Sequence, residues 1–525
     1  MTTLTDPPQG SFRLSMLLND TRYRSYTFQF IALLALIASF AYLGSNLVEN
    51  LRAAGLNISF EFLREPAGYD INQRLIEYNS QSSHWRAAMV GILNTLLVSF
   101  LACVTATILG VVAGVLRLSN NWLVRKLMSI YVEAFRNVPV LIWIIIIFTI
   151  MTAVLPAPRA FRGDDATASM LFDSVAFTSQ GVFVPGLVFG TGGLVVVLTL
   201  LASIVGVFAY RKYRVKKLYD EGKVLPGWIT WAILIVPTLV VFQGYALTAG
   251  NQENRFLVPT DLAAGATTLD AFGERLVADE QNVAYCSVNG STASSVGKSM
   301  ILGLPAVGLR NPDAVRMKSS YYATVDAAQP GLADGTCNML VAPAAQAEQI
   351  SAQSDGALSV LETNVKNGAP IALNLPYLAN FRFTDGITVR GSLIALWFAL
   401  AIYTGAFIAE NVRAGIQAVS KGQTEAAASL GLRPGRIMNL VVLPQALRVI
   451  IPPLISQYLN ITKNSSLAIA VGYMDITGTL GGITLNQTGR AIECVLLLML
   501  FYLTISLSIS AVMNLYNNAV KLKER

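Results

Sequence analysis

Eight apolar runs dominate this chain, near residues 27–48, 90–116, 130–155, 184–209, 228–248, 388–411, 448–470 and 492–515. A helix rises about 1.5 Å per residue, so about 20 such residues span the roughly 30 Å hydrocarbon core of a bilayer. In lipid every backbone N–H and C=O needs a partner within the protein, and runs of this length meet that demand as helices. Only 13% of the 525 residues are charged, about half the share in an ordinary soluble domain, and the deficit lies in these runs. The expected fold class is an all-α polytopic membrane protein with about eight transmembrane helices. The first run ends without a small-residue cleavage pattern and reads as a retained span. The run at 448–470 is the weakest, because it contains Pro452, Pro453, Lys463 and Asn464. It spans only if those polar groups face protein or a pathway.

The net charge of +7 is explained by the flanks of these spans, not by a nucleic-acid surface. With the N-terminus inside, twenty cations fall in short cytoplasmic segments, among them Arg13, Arg22, Arg24, Arg117, Arg125, Lys126, Arg211, Arg433, Arg436, Lys521, Lys523 and Arg525. The short loops on the other side carry Arg159, Arg162 and Arg490. This is the positive-inside bias. Placing both termini in the cytoplasm requires an even number of spans, which favours counting 448–470.

The chain divides into four regions. Residues 1–89 hold a cytoplasmic segment, the first span and an outside loop; 90–248 hold spans two to five; 249–387 form a hydrophilic insertion expected on the periplasmic side; 388–525 hold the last three spans. The insertion is long enough for a small folded domain and contains apolar clusters at Val283–Tyr285, Met300–Val307 and Ile371–Leu378. Its segment Ala263–Thr268 reads as a flexible lead-in. Cys286 and Cys337 fall within it, whereas Cys103 and Cys494 lie in apolar spans. An oxidising compartment favours a Cys286–Cys337 disulfide; two buried free thiols are the alternative. No CxxC occurs, and the sole histidine, His84, sits beside Trp85 in another loop, so no metal site is expected. His84 reads as an interfacial residue.

The loop at 420–444 carries the most specific pattern. Ser420–Leu430 is an Ala-rich helix former, Gly431 allows a turn and close approach of another surface, and Pro434 suits a helix start. Ile437, Leu440 and Val441 then form an apolar stripe continuing to Leu443, before Pro444 redirects the chain. Either this element packs on its own bundle or it docks into a soluble partner.

The stretch Glu425-Ala426-Ala427, Gly431, Val441, Leu443-Pro444 resembles the EAA loop of binding-protein-dependent ABC importer permeases, with valine in place of the usual isoleucine. Further runs are similar to the polar amino acid (histidine/glutamine permease) subfamily: Gly91-Ile92-Leu93-Asn94-Thr95, Tyr131–Pro139, Tyr403–Ile416 and Lys463-Asn464-Ser465-Ser466-Leu467. The eight-span plan is most similar to permeases for general L-amino acids or for glutamate, glutamine, aspartate and asparagine.

The resemblance implies a type I ABC importer permease fold in a bacterial inner membrane. It implies a paralogous permease subunit (or a homodimer), a cytoplasmic ATPase dimer and a periplasmic amino acid-binding protein as partners. It places Glu425, Ala426, Ala427, Gly431, Leu443 and Pro444 at the ATPase. The chain has no GxxxxGK[ST] phosphate loop, so it is expected to bind no cofactor, to catalyse no hydrolysis and to rely on ATP used by its partner. Polar groups in or beside spans are the pathway candidates: Arg136, Asn137, Glu410, Lys463, Asn464 and Ser465, each with a structural hydrogen bond as the alternative reading. Glu133 and Arg136 are spaced for an ion pair. The insertion, unexplained by the resemblance, contacts the binding protein, covers an outer gate, or decorates the surface. An ion-coupled carrier would share the spans, but no internal repeat stands out. A receptor or scaffold would explain the insertion and leave the EAA loop unexplained.

Overall fold

The computed structural model describes residues 21–520 apart from 54, 56, 57, 163–165, 280, 305, 306, 308–315, 380 and 381. Arg13, Lys521, Lys523, Arg525, the Arg22 side chain and part of the Met300–Val307 cluster lie outside the described residues. Among those described, seven helices are long and apolar enough to cross a membrane, and a bent pair makes an eighth if counted as one span.

Helix α1 covers Thr21–Ala53 and α2 covers His84–Leu116. The run expected as one span at 130–155 is instead two helices, α3 (Trp122–Asn137) and α4 (Val140–Val154), bent by 107°. Pro139 is the reason. It lacks an N–H and disfavours helical backbone at the residue before it, and Val138 is extended at φ −111°, ψ 132°. The expected span at 184–209 is shifted as well. Its first residues form strands, after β1 (Ala176–Thr178): β2 is Gly181–Val184 and β3 is Gly186–Phe189. Gly192, in the left-handed region at φ 85°, separates β3 from α5 (Gly193–Glu221), and α6 (Trp228–Thr248) packs beside α5.

The expectation of an all-α chain fails first at β1–β3 and more fully beyond α6. Strand β4 (Glu253–Pro259), helix α7 (Leu269–Ala278), β5 (Val283–Val288), α8 (Thr292–Leu302), β6 (Met317–Tyr322), α9 (Val325–Ala333), β7 (Met339–Pro343), α10 (Ala344–Gln353), β8 (Leu358–Val360) and β9 (Val365–Lys366) build an α/β unit. Its sheet runs in the order β6-β5-β7-β4-β8, with β9 also on β4. Strand β5 is parallel to β6 and β7, while β4 is antiparallel to its neighbours. Strand side chains alternate between faces, so one sheet yields two cores. Phe256, Val258, Tyr285, Met339 and Val341 pack on one side, and Leu257, Cys286, Leu340 and Ala342 on the other. Strands this short escape a search for long apolar runs. Ala263–Thr268 is no loose lead-in: Ala263 is buried in the first core and Ala266 packs against it.

Four strands return the chain to the bundle: β10 (Ile371–Asn374), β11 (Tyr377–Ala379), β12 (Arg382–Thr384) and β13 (Ile387–Arg390). Strand β10 pairs with β3, and β13 pairs with β2, which pairs with β1. The insertion therefore shares its base with residues 176–189. The chain then continues through α11 (Gly391–Gln417), α12 (Lys421–Ser429), α13 (Pro434–Ile437), a π turn at Met438–Val442 and α14 (Leu443–Asn464). A 3₁₀ turn (Ser465–Val471), a π segment (Thr477–Thr484) and α15 (Ala491–Val520) complete it.

Helices α2 and α11 form the centre of the bundle through small residues. Ala102, Ala106, Gly110 and Gly114 recur every fourth position on α2, and the last three meet Gly405, Ile408 and Ala409. A Cβ at Gly110 would lie 2.5 Å from the Ile408 Cβ, and one at Gly114 would lie 2.7 Å from the Ala409 carbonyl oxygen. Small residues let backbones approach where lipid supplies no hydrophobic drive between helices. Interhelical hydrogen bonds add specificity: Trp397 Nε1 donates to Thr105 Oγ1 at 3.0 Å and the Tyr131 hydroxyl to the Ile402 carbonyl at 2.7 Å. Gly110→Val is expected to destabilise the bundle by about 3 kcal/mol, since the added groups meet Ile408 and the Gly405 carbonyl. Thermal unfolding in detergent checks this, and an unchanged midpoint would disprove the packing.

Candidate functional site

The coupling-loop residues form a compact projection at the C-terminal end of α11. Ala427, Ile437 and Val442 are buried together, with Ile416, Val419, Leu432 and Val441 packed around them. This small core holds α12 against the start of the next helix. Glu425 and Ala426 face outward, Leu430 is 81% exposed, and Gly431 turns the chain at φ +77° with open space where a Cβ would stand. The expected stripe is only half right: Ile437 and Val441 turn inward, but Leu440 and Leu443 are exposed. The π turn at Met438–Val442 explains the difference, because one extra residue per turn rotates the downstream side chains off the stripe. Pro444 does not redirect the chain either. It closely follows the π turn at Met438–Val442, and the candidate span runs on from Pro434 to Val471.

Glu410 organises the same end of the bundle. Its carboxylate pairs with Arg117 from the end of α2 and with Arg413 one turn along α11, while Arg136 from α3 stands 4.0 Å away. Arg136 also lies over the Phe407 ring, 5.1 Å from its centroid. The spacing-based partner for Arg136, Glu133, is replaced by Glu410. Three guanidinium groups from three helices thus share one half-buried carboxylate. Asn137, next to Arg136, is exposed. Glu410→Gln leaves the arginines without their counter-charge and is expected to lower stability by about 1–3 kcal/mol, between exposed and buried pairs. The shift should shrink in high salt; a salt-independent loss would point to packing instead.

The other pathway candidates lie elsewhere. Gly415 abuts Ile450 on α14, and fourteen residues of helix, about 21 Å, separate Ile450 from Asn464. Ser465 is fully buried, with its hydroxyl donating to the Thr462 carbonyl at 2.8 Å; Asn464 is half-buried and Lys463 exposed. Arg136 and Glu410 therefore come together, and Lys463–Ser465 belong to the opposite end of the bundle.

Near that end lies a buried polar group that spacing along the sequence does not reveal. Asn94 Nδ2 donates to the Gln73 carbonyl at 2.7 Å and to the Met474 carbonyl at 2.8 Å, and the Tyr473 hydroxyl donates to the Asn94 carbonyl at 3.0 Å. Thr95 Oγ1 accepts from the Ile476 N–H at 3.1 Å, and Asp475, fully buried, accepts from the Gly478 N–H at 2.8 Å. Its signals in the sequence are Asp475, a lone carboxylate in a largely apolar stretch, and the Asn94-Thr95 pair of the resemblance run. His84 also departs from expectation. It is buried rather than interfacial, with Nδ1 3.1 Å from Thr484 Oγ1.

In the α/β unit the structure joins Cys286 to Cys337, with Cα atoms 5.5 Å apart, as disulfide geometry requires. Lys298 on α8 bonds Asp385 at 2.7 Å, with side chains 3% and 5% exposed. Burial pulls the Lys298 ammonium below the usual lysine range, and Asp385 opposes that pull. Among the described residues no three His, Cys, Asp or Glu side chains converge as a metal site.

Residues 363–522, from β9 through α15, match the model of the binding-protein-dependent transport system inner membrane component. The chain is also 41% identical, over the full length of both, to the glutamate/glutamine/aspartate/asparagine transport system permease protein BztB of Rhodobacter capsulatus. The chain belongs to this family of inner membrane components. Two further relatives match this inner membrane component nearly end to end. It is 33% identical to a putative amino-acid ABC transporter permease protein of Escherichia coli, covering 96% of this chain and 95% of the relative. It is 32% identical to the general L-amino acid transport system permease protein AapQ of Rhizobium johnstonii, covering 99% and 98%. Both the projection and Glu410 on α11 fall inside the family match.

Proposed function

We propose that this chain, a permease subunit of an ABC importer for amino acids, carries polar L-amino acids inward by coupling an ATPase at α12 and Gly431 to its spans. The observation that carries this reading is the full-length likeness to a permease whose name specifies glutamate, glutamine, aspartate and asparagine, joined to an exposed projection bearing Glu425-Ala426-Ala427 and Gly431. Glu425, Ala426 and Gly431 offer small or polar surface to a soluble partner. Ala427 anchors the helix beneath them, and Leu443 and Pro444 begin the helix that receives the motion. The Glu410 cluster ties α2, α3 and α11 together, so displacement of the projection moves three helices as one.

In this reading both termini and the projection are cytoplasmic and the α/β unit is periplasmic. The unit stands where a periplasmic binding protein delivers its ligand, and it acts in docking or gating. A second permease chain, paralogous or identical, completes the pathway. Arg136, Asn137, Lys463, Asn464 and Ser465 line or border it. ATP is used by the ATPase, and this chain serves as the translocation subunit.

The test is uptake in proteoliposomes containing the chain with its encoded neighbours. Accumulation of labelled glutamine or aspartate should require both internal ATP and the binding protein, and unlabelled asparagine should compete better than arginine. Uptake driven by an ion gradient without ATP would overturn the proposal.

A further inference from the structure

A sheet with one solvated face carries polar side chains there. The β3–β10 ribbon does not. Its register sets Leu187 opposite Leu373 and Phe189 opposite Ile371, and residues directly opposite share a face. Ala372 and Val188 point the other way, with Ala372 buried on the side where α8 packs. The four apolar side chains therefore project outward together, and Leu187, Phe189 and Leu373 are 56%, 50% and 51% exposed. The β1–β2–β13 sheet repeats the pattern. Phe177, Val182 and Val389 are in register, as are Val184 and Ile387, with Phe177 45% and Ile387 50% exposed. Its opposite face is buried through Ala176 and Phe183 against Phe161 and Phe383. Contiguous exposed apolar surface of this kind marks a partner or a membrane.

Chain continuity identifies the occupant. After Phe189 only Gly190, Thr191 and Gly192 precede α5, and β13 ends at Arg390 where α11 begins at Gly391. A Cβ on Gly193 would lie 2.9 Å from the Phe189 Cβ, so ribbon and helix start are in contact. The first turns of α5 then expose Leu194, Leu198 and Leu201, as a lipid-facing helix does. The outward face of the ribbon thus stands beside the start of that exposed apolar helix.

We propose that the outward faces of these two β layers rest in the headgroup–acyl boundary of the bilayer, so that lipid covers Leu187, Phe189, Leu373, Phe177 and Ile387. Paired strands satisfy their own backbone at that depth. The layers then act as a membrane-resting base that fixes the height of the α/β unit above the spans. This holds whatever the transporter carries.

The test is nitroxide accessibility in the full chain, with Cys103→Ser and Cys494→Ala as background and the Cys286–Cys337 bond retained. Leu187→Cys, Phe189→Cys and Leu373→Cys are labelled in nanodiscs of phosphatidylethanolamine and phosphatidylglycerol, with exposed Asp261→Cys as control. Collision with oxygen should exceed collision with an aqueous nickel chelate at the three ribbon sites, and the order should reverse at residue 261. Faster relaxation by the chelate at the ribbon overturns the proposal. So does protection that arises only when the encoded permease partner or binding protein is added, since a protein would then be the occupant. An unchanged thermal midpoint shows that each labelled variant is folded.

Discussion

Gly431→Trp is expected to abolish ATP-driven uptake while the chain still folds and inserts. Gly431 sits at φ +77° with nothing within 4 Å of a Cβ, so the substitution meets no atom of its own protein. Its cost to folding is the left-handed backbone alone, about 1–2 kcal/mol. An indole at the tip of an exposed projection instead fills the space that a docking partner needs. Gly431→Ala separates the two effects: it bears the same backbone cost without the bulk and should retain most uptake. Binding of the ATPase and ligand-stimulated hydrolysis, measured in the same proteoliposomes, give the readout. Normal hydrolysis and uptake in Gly431→Trp would show that the projection is not the coupling surface. Equal loss in the alanine and tryptophan variants would show that backbone geometry, not docking space, is what matters there.

Lys298→Met should destabilise the α/β unit by about 3–5 kcal/mol, because it leaves Asp385 as an uncompensated buried charge. Lys298 reaches Asp385 from α8, and Asn374 Oδ1 lies 3.4 Å from the same ammonium. The Tyr321 hydroxyl also donates to Asp385. The pair joins the α/β sheet to the turn before β13, hence to the strand that enters α11. Its loss should loosen the unit from its base more than it loosens the spans. Hydrogen exchange reads this directly: protection should fall across α8, β10 and β13 and hold in α2 and α11. Lys298→Met combined with Asp385→Leu removes both charges and should recover much of the loss. Equal destabilisation in the single and double variants would mean that shape rather than charge pairing decides the site.

Much of the membrane part was legible because hydrophobic length is a local property. The run at 228–248 coincides with α6, and those at 27–48, 388–411 and 492–515 correspond to α1, α11 and α15 with shifted ends. Pro139 lay in plain view inside the run at 130–155, yet hydropathy averaged over it and missed the bend. The run at 184–209 failed for a similar reason. Its first residues are apolar enough to count toward a span, but Gly190 and Gly192 stop a helix from starting before Gly193. A folded insertion at 249–387 was expected, but its strands escaped because each is short and its two apolar faces alternate, a pattern that long windows erase.

The sequence by itself determined that the chain must bury long apolar runs in lipid, that an Ala-rich helix before Gly431 is followed by a turn and a helix start at Pro434, and that Cys286 and Cys337 share one hydrophilic segment. These depend on residue type and on separations of a few positions. Only the tertiary structure decided which polar groups meet. Arg136 chose Glu410 on α11 over Glu133 on its own helix, since the α3–α4 bend turns α3 against α11. Asn94 found Met474 across a separation of 380 residues, and β3 found β10 across the whole α/β unit. Spacing along the chain carries no record of such contacts, because they exist only once helices and strands have packed and each buried polar group has had to find a partner.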